Sequence, residues 1–144
     1  MQGLPQSGIY VLIVHILGTE TISAGALGAL EMRGGYYAYV GRARRGLPAR
    51  LARHARREGK RLHWHIDYLL EAATLQEIWV FPLGIGECEL AARLEEGGAS
   101  REGLLGFGAS DCRCAGHLLY MGKRKPVPPH DSAAVIRGLG PQGL

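Results

Sequence analysis

Asparagine is absent from this 144-residue chain, and glutamine occurs only at Gln2, Gln6, Gln76 and Gln142. Arginine and alanine are abundant instead. This fits a thermophilic protein that avoids heat-labile amides, and it fits a GC-rich coding bias equally well. Cysteine is also scarce. Three residues, an odd number, argue against a secreted disulfide scaffold. Long apolar runs are missing too. The longest, Ile9 to Leu17, is broken by His15 and is too short to cross a bilayer, so no membrane partner is expected. Met1-Gln2-Gly3-Leu4-Pro5 lacks the charged and apolar regions of a secretory signal, so a cytoplasmic location is expected. The length suits one domain with a real core, and 47% hydrophobic residues argue against disorder.

Acidic residues are nearly missing from one stretch in particular. Arg42, Arg44, Arg45, Arg50, Arg53, Arg56, Arg57, Lys60 and Arg61 share their segment with a single acid, Glu58. These nine are more than half of the 17 lysines and arginines, although the net charge is only +4. A solvated helix usually interleaves both signs. Concentrated positive charge is the footprint of a phosphate-rich partner and points to nucleic acid.

Local patterning predicts a small α/β domain with a central, mostly antiparallel sheet flanked by helices. Residues 8–14 are β-branched and aromatic and read as a buried strand. Residues 18–20 read as a turn. Residues 21–32 leave room for one or two short strands, and Arg33-Gly34-Gly35 signals another turn. Residues 36–41 read as the next strand. A helix is expected over 48–58, with Pro48 in its first turn, Gly59 at its end, and Leu47, Leu51 and Ala55 facing the sheet. A second helix is expected over 64–73, a strand over 76–83 and a third helix over 87–96. Residues 103–115 read as a Gly-rich loop and 117–121 as a last strand. From Gly122 onward, proline, glycine and Lys123-Arg124-Lys125 read as an extended basic tail. No internal repeat is visible.

The chemistry sits in an ordered set. Gly8-Ile9-Tyr10 and Tyr39-Val40-Gly41 lie on the two strands. Arg50 and His54, four apart, share a helix face, and Glu87 opens the third helix. Phosphodiester hydrolysis needs an activated water, charge stabilisation at phosphorus and help for the leaving oxygen. Glu87 suits Mg²⁺ or Mn²⁺, since a hard cation needs few protein oxygens. Arg50 offers a planar fork to phosphate oxygens. Tyr10 is a candidate acceptor of the water proton, directly or through Tyr39, provided that Arg50 and a cation lower its pKa. His54 suits a base or a hydrogen-bond partner.

This order resembles the GIY-YIG nuclease family. The motifs here read GIY and YVG, followed by Arg42-Ala43-Arg44-Arg45-Gly46-Leu47-Pro48-Ala49-Arg50 and by Glu87-Cys88-Glu89-Leu90-Ala91. His63-Trp64-His65-Ile66-Asp67 and Gly106-Phe107-Gly108-Ala109-Ser110-Asp111-Cys112 resemble a mainly archaeal branch of that family. The resemblance implies a metal-dependent DNA endonuclease. With no zinc-finger or helix-turn-helix pattern legible in the sequence, recognition of DNA structure or damage in repair or recombination, or targeting by a partner, is expected. Tyr10, Tyr39, Arg50, His54 and Glu87 would be catalytic, with Glu87 holding the metal. Arg42, Arg44, Arg45, Arg53, Arg56 and Arg57 would hold the nucleic-acid backbone. Residues 1–122 would form the nuclease domain and 123–144 the tail. The tyrosine motifs stand farther apart than in the family, so an extra strand or hairpin is expected between them. One extra residue also separates Gly41 from Arg50.

Other readings compete. Tyr10 and Tyr39 are by default core residues, and Tyr37 shares the face of Tyr39. Arg50 has simple phosphate contact as its plain reading, and His54 a place on the helix surface. Glu87 competes with Glu89, and is preferred because Leu90 and Ala91 then take the family's apolar positions. Cys88, Cys112, Cys114 and His117 could form a zinc site, and a disulfide from Cys88 to Cys112 or Cys114 is an alternative, but the cysteines read best as buried free thiols. His63, His65 and Asp67 read better as capping and structural groups than as metal ligands, because only His63 and Asp67 share a helix face. Ser110, Asp111 and His117 lack a nucleophile-elbow pattern, and the glycines do not form a P-loop. A non-catalytic nucleic-acid-binding protein and a nuclease acting on RNA remain rival functions.

Overall fold

The first strand, β1 (Gly8–Ile16), has no solvent-facing side: every residue but His15 is buried. Such a strand can exist only at the centre of a sheet covered on both faces. In the computed structural model, which describes residues 3–56, 59–62, 64–101, 104, 107 and 116–138, β1 takes that place. The remaining elements follow in chain order: β2 (Glu20–Ser23), β3 (Ala29–Met32), β4 (Gly35–Ala43), α1 (Leu47–Ala55), α2 (His65–Ala72), β5 (Thr74–Phe81), α3 (Glu87–Glu96), β6 (Leu118–Gly122) and β7 (Ala134–Ile136). The main sheet has five strands in the order β6-β4-β1-β5-β7, antiparallel throughout. The expected mixed α/β fold is therefore the observed one.

Alternation along β1 divides the core. Tyr10, Leu12, Val14 and Ile16 face one side, where Leu47 and Leu51 of α1 and Ile66 and Leu69 of α2 cover them. Ile9, Val11 and Ile13 face the other side, against Leu90 and Ala91 of α3. The interval between the two tyrosine motifs holds a separate two-stranded ribbon, β2 with β3, which α2 packs against. This is the hairpin that the spacing called for.

Several boundaries differ from expectation. Strand β5 starts at Thr74 and ends at Phe81, where 76–83 was expected, and Leu83–Ile85 form a 3-10 turn. Two further differences are larger. Helix α1 starts after Gly46, whose positive φ of 68° suits a residue without Cβ, and carries Pro48 in its first turn. It ends before Arg56, whose extended ψ of 130° breaks the helix short of Gly59. The returning chain satisfies the helix end: Lys60 Nζ donates to the His54 carbonyl at 3.2 Å and Arg53 Nη2 to the Arg61 carbonyl at 2.9 Å. The second difference lies beyond Gly122. That segment was read as a plain extended tail, yet it returns as β7 and pairs with β5 through Ile78↔Ile136, Trp79↔Val135 and Val80↔Ala134.

A buried carboxylate fastens this returning segment. Glu77 of β5 accepts from Trp79 Nε1 at 2.9 Å, and its other oxygen meets Lys125 Nζ at 3.1 Å and Arg137 Nε at 3.4 Å. Burial alone would raise its pKa, but these three donors outweigh it and hold the carboxyl below its usual range. Glu77→Gln is expected to loosen residues 123–138 while the sheet persists. Faster trypsin cleavage after Lys123, Arg124 or Lys125 at an unchanged far-UV spectrum is the expected result. Unaltered cleavage would show that β7 pairing alone holds the segment. Among the described residues, no helix is long and apolar enough to cross a membrane.

Candidate functional site

The antiparallel register puts the two tyrosine motifs side by side. Tyr10 lies directly opposite Gly41, and Leu12 opposite Tyr39. The two tyrosines therefore share one sheet face as diagonal neighbours. The Tyr10 ring lies across Gly41 so closely that a Cβ there would meet Tyr10 Cζ at 2.4 Å and the hydroxyl oxygen at 2.5 Å. The glycine of the second motif is thus the seat for the tyrosine of the first. Gly8 is similarly confined, with the Phe81 carbonyl oxygen 2.8 Å from where its Cβ would stand.

Helix α1 brings the next partners. His54 is buried, and its Nε2 lies 3.0 Å from the Tyr10 hydroxyl. Its Nδ1 is buried without a hydrogen-bond partner among the described residues. Burial pushes the His54 pKa down to about 3, with the Asp67 charge opposing this and Lys60, Arg53 and Arg50 adding to it. The ring is therefore neutral at neutral pH. Burial also raises the Tyr10 pKa, although hydrogen bonding and positive charge from Arg50 oppose the rise. The expectation of a lowered Tyr10 pKa is thus not met by the protein's own groups, because the hydroxyl is too deeply desolvated. Tyr39 is likewise pushed up by burial, and no hydrogen bond joins its hydroxyl to Tyr10. It packs edge-on against Phe107 instead, at 6.1 Å between ring centres.

His54 carries a pH signature. Its folded pKa lies below the unfolded value near 6.5, so the unfolded chain takes up a proton first as pH falls. The associated stability is present in full above pH ~6.5 and drains away between about 6.5 and 3. Melting temperatures measured across this window are expected to fall more steeply for the wild type than for His54→Gln. Parallel curves would contradict a buried neutral histidine.

Arg50 donates from Nη1 to the Arg42 carbonyl at 3.2 Å, and its guanidinium lies 4.7 Å from the centre of the Trp64 ring. Arg53 lies 4.5 Å from the same ring. It also forms a two-pronged pair with Asp67, at 2.8 and 2.9 Å. Asp67 is fully buried and also accepts from the Trp64 backbone N–H at 2.9 Å, capping α2. Its structural reading is therefore the observed one. Arg53 was expected among the backbone-holding arginines, but its fork is already occupied by Asp67. Arg42, Arg44, Arg45, Arg56 and Arg61 are exposed, at the end of β4 and in the segments that flank α1. Arg57 and His63 lie outside the described residues.

Glu87 sits in the first turn of α3, which packs on the opposite sheet face. Pairing of β4 with β6 stops at Tyr39↔Leu118, and Glu87 reaches β4 beyond that point. Its Oε1 lies 3.7 Å from Arg42 Nε and its Oε2 4.0 Å from His117 Nδ1. Neither distance is a hydrogen bond, so the carboxylate keeps oxygen lone pairs that suit a hard cation. Glu89 is exposed to solvent. The negative charge of Glu87 is felt at both Tyr10 and Tyr39. Among the described residues, no group of three or more His, Cys, Asp or Glu side chains surrounds one point. Cys112, Cys114, Ser110 and Asp111 lie outside the described residues.

The structure thus joins Tyr10, His54 and Arg50 directly and sets Glu87 at the same rim. Sequence reasoning missed the parts played by Trp64 and by Gly41. The arginines at 50 and 53 followed by a tryptophan were the available signal for the first.

The small α/β domain thus gathers a tyrosine–histidine pair and an arginine, with the charge of one carboxylate felt at the tyrosine. The chain belongs to the DUF123 family, described as a domain of unknown function, whose pattern matches residues 9–139. That match runs past Gly122 and includes β7. No curated protein and no solved structure matches the chain.

Proposed function

We propose that this protein is a divalent-metal-dependent endonuclease that hydrolyses DNA phosphodiester bonds, as its resemblance to GIY-YIG nucleases implies. The observation that carries this reading is the 3.0 Å contact between the Tyr10 hydroxyl and His54 Nε2 beside Arg50, with exposed arginines in the segments that flank α1. A buried tyrosine hydroxyl needs a hydrogen-bond partner in any role; the Arg50 guanidinium beside this pair is what favours an anionic ligand.

The residues divide the work as follows. The Tyr10 hydroxyl and neutral His54 Nε2 share a hydrogen bond at 3.0 Å, which fixes where the phenol oxygen stands. His54 is a weak base with its pKa near 3, so it orients Tyr10 rather than taking the proton fully. Tyr10 takes the water proton as its phenolate, a form that Arg50 and a bound cation would favour against burial. The hydroxyl proton goes to solvent before the water oxygen attacks phosphorus. Arg50 lowers the energy of the developing charge on the phosphate oxygens and on Tyr10. Glu87 would hold Mg²⁺ or Mn²⁺ alongside waters, and such a cation, when bound, neutralises phosphate charge and acidifies nearby water. Arg42, Arg44, Arg45 and Arg56 would hold the DNA backbone, making binding weaken steeply with salt.

The test is incubation of labelled single-stranded, duplex, flap and branched DNA with Mg²⁺ or Mn²⁺. Metal-dependent cleavage, strongest on one branched or flapped form, is expected. Salt-sensitive binding of every form with no cleavage would replace the enzyme reading with a binding protein.

A further inference from the structure

We infer that Trp64 is a positioning residue of this site, whose indole holds the Arg50 guanidinium ready for a nucleic-acid phosphate without neutralising it. The inference rests on the phosphate-binding role proposed for Arg50. Two arginines of α1 lie over this one ring, with the Arg50 guanidinium 4.7 Å from its centre and the Arg53 guanidinium 4.5 Å. They differ in what else they meet. Arg53 gives its fork to Asp67, Nη1 to Oδ1 at 2.8 Å and Nη2 to Oδ2 at 2.9 Å. Arg50 donates from Nη1 to a neutral acceptor, the Arg42 carbonyl, at 3.2 Å. Among the described residues, no carboxylate forms an ion pair with it.

The difference matters chemically. An aromatic face meets the flat side of a guanidinium and leaves its in-plane N–H donors for other partners. A carboxylate takes those donors and cancels the charge, as Asp67 does at Arg53. A ring is therefore a partner that steadies a long arginine and keeps it fit for phosphate. Steadying it beforehand spares side-chain freedom that binding would otherwise remove. The ring is fixed in turn. The Trp64 backbone N–H donates to Asp67 Oδ2 at 2.9 Å, so one buried carboxylate anchors both the tryptophan and the Arg53 beside its ring. The His54 ring lies 5.9 Å from the indole, centre to centre, and its Nε2 lies 3.0 Å from the Tyr10 hydroxyl. Trp64 thus neighbours both residues of α1 that act on Tyr10.

Binding of a labelled single-stranded oligonucleotide, without divalent metal, tests this separately from cleavage. Trp64→Leu removes no charge, yet affinity is expected to fall about two- to fivefold, the worth of one exposed cation–π contact. Its salt dependence should flatten toward that of Arg50→Gln, because a lost phosphate contact releases fewer ions. Trp64→Phe keeps an aromatic face and should recover most of the loss. In the Arg50→Gln background, Trp64→Leu should lower affinity no further, since nothing is left to position. Additive losses in the double variant, or an unchanged salt slope in Trp64→Leu, would overturn the inference and leave Trp64 as packing. Should Trp64→Leu fail to fold, emission of the wild type still answers. The other tryptophan, Trp79, is buried on the opposite sheet face. Saturating oligonucleotide should therefore change Trp64 emission in the wild type and not in Arg50→Gln. An equal change in both, or no binding by the wild type, would overturn the inference. Binding without cleavage would overturn the enzyme reading alone.

Discussion

Glu87→Ala should reduce metal-dependent DNA cleavage by about 10³-fold, the loss typical when a group that stabilises transition-state charge is removed. DNA binding measured without divalent metal should survive, because the exposed arginines are untouched. The fold should survive as well. Glu87 is partly exposed, its nearest cation lies at 3.7 Å, and partly exposed ion pairs contribute little to stability. Glu89→Ala is the natural control, since Glu89 faces solvent on the same helix turn. Equal loss in both variants, or none in Glu87→Ala, would remove Glu87 from the site. Adding Mn²⁺ in excess should rescue Glu87→Gln more than Glu87→Ala, as the amide oxygen still offers a weak ligand.

Gly41→Ala should also be damaging, less so and by a different route. A methyl group at this position would overlap the Tyr10 ring, at 2.4 Å from Cζ. The ring cannot slide inward, because Leu47 and Leu51 of α1 are packed on that face without exposure. It must tilt outward and leave His54. Overpacking of this kind costs about 1–3 kcal/mol. Loss of the hydrogen bond adds about 1 kcal/mol. Cleavage should fall by about 10²-fold, the usual contribution of a positioned proton acceptor. A Gly41→Ala protein with normal melting and normal cleavage would show that the ring has room and that the tyrosine motifs are not mechanically coupled. Tyr10→Phe separates the two effects, as it removes the hydroxyl and keeps the packing.

Much of this arrangement was legible before any coordinates. The unbroken apolar character of residues 8–14 marked the central strand, and the four-residue spacing of Leu47 and Leu51 marked the buried side of α1. The shared face of Arg50 and His54 followed from helical periodicity, and the ribbon between the motifs followed from their separation. What was not legible depends on long-range pairing. Strand β7 has three residues amid prolines and glycines, too few to show alternation, and exists because β5 offers it an edge. The early end of α1 reflects Arg53 and Lys60 drawing the chain back over the helix, which no local preference encodes. Arg53 looked like any other arginine of the basic run. Only the fold reveals that Asp67 has claimed it. The raised Tyr10 pKa is also a consequence of burial, and the sequence showed only the opposing charge of Arg50.

Burial of the tyrosine–histidine pair has a functional implication. With its hydroxyl buried against His54, Tyr10 is neutral in the free protein, and its desolvation must be offset when substrate and cation arrive. Activity that depends on metal at every pH follows from this arrangement. Arg50 alone does not bring the Tyr10 pKa down.

The most direct measurement is single-turnover cleavage of labelled flap and duplex DNA by the wild type and Tyr10→Phe, in Mg²⁺, with binding measured in parallel. Cleavage by the wild type, lost by about 10²-fold or more in Tyr10→Phe at unchanged binding, is the predicted result. Equal cleavage by the two proteins, or binding without any cleavage by the wild type, would contradict the assignment of Tyr10 as the group that activates water.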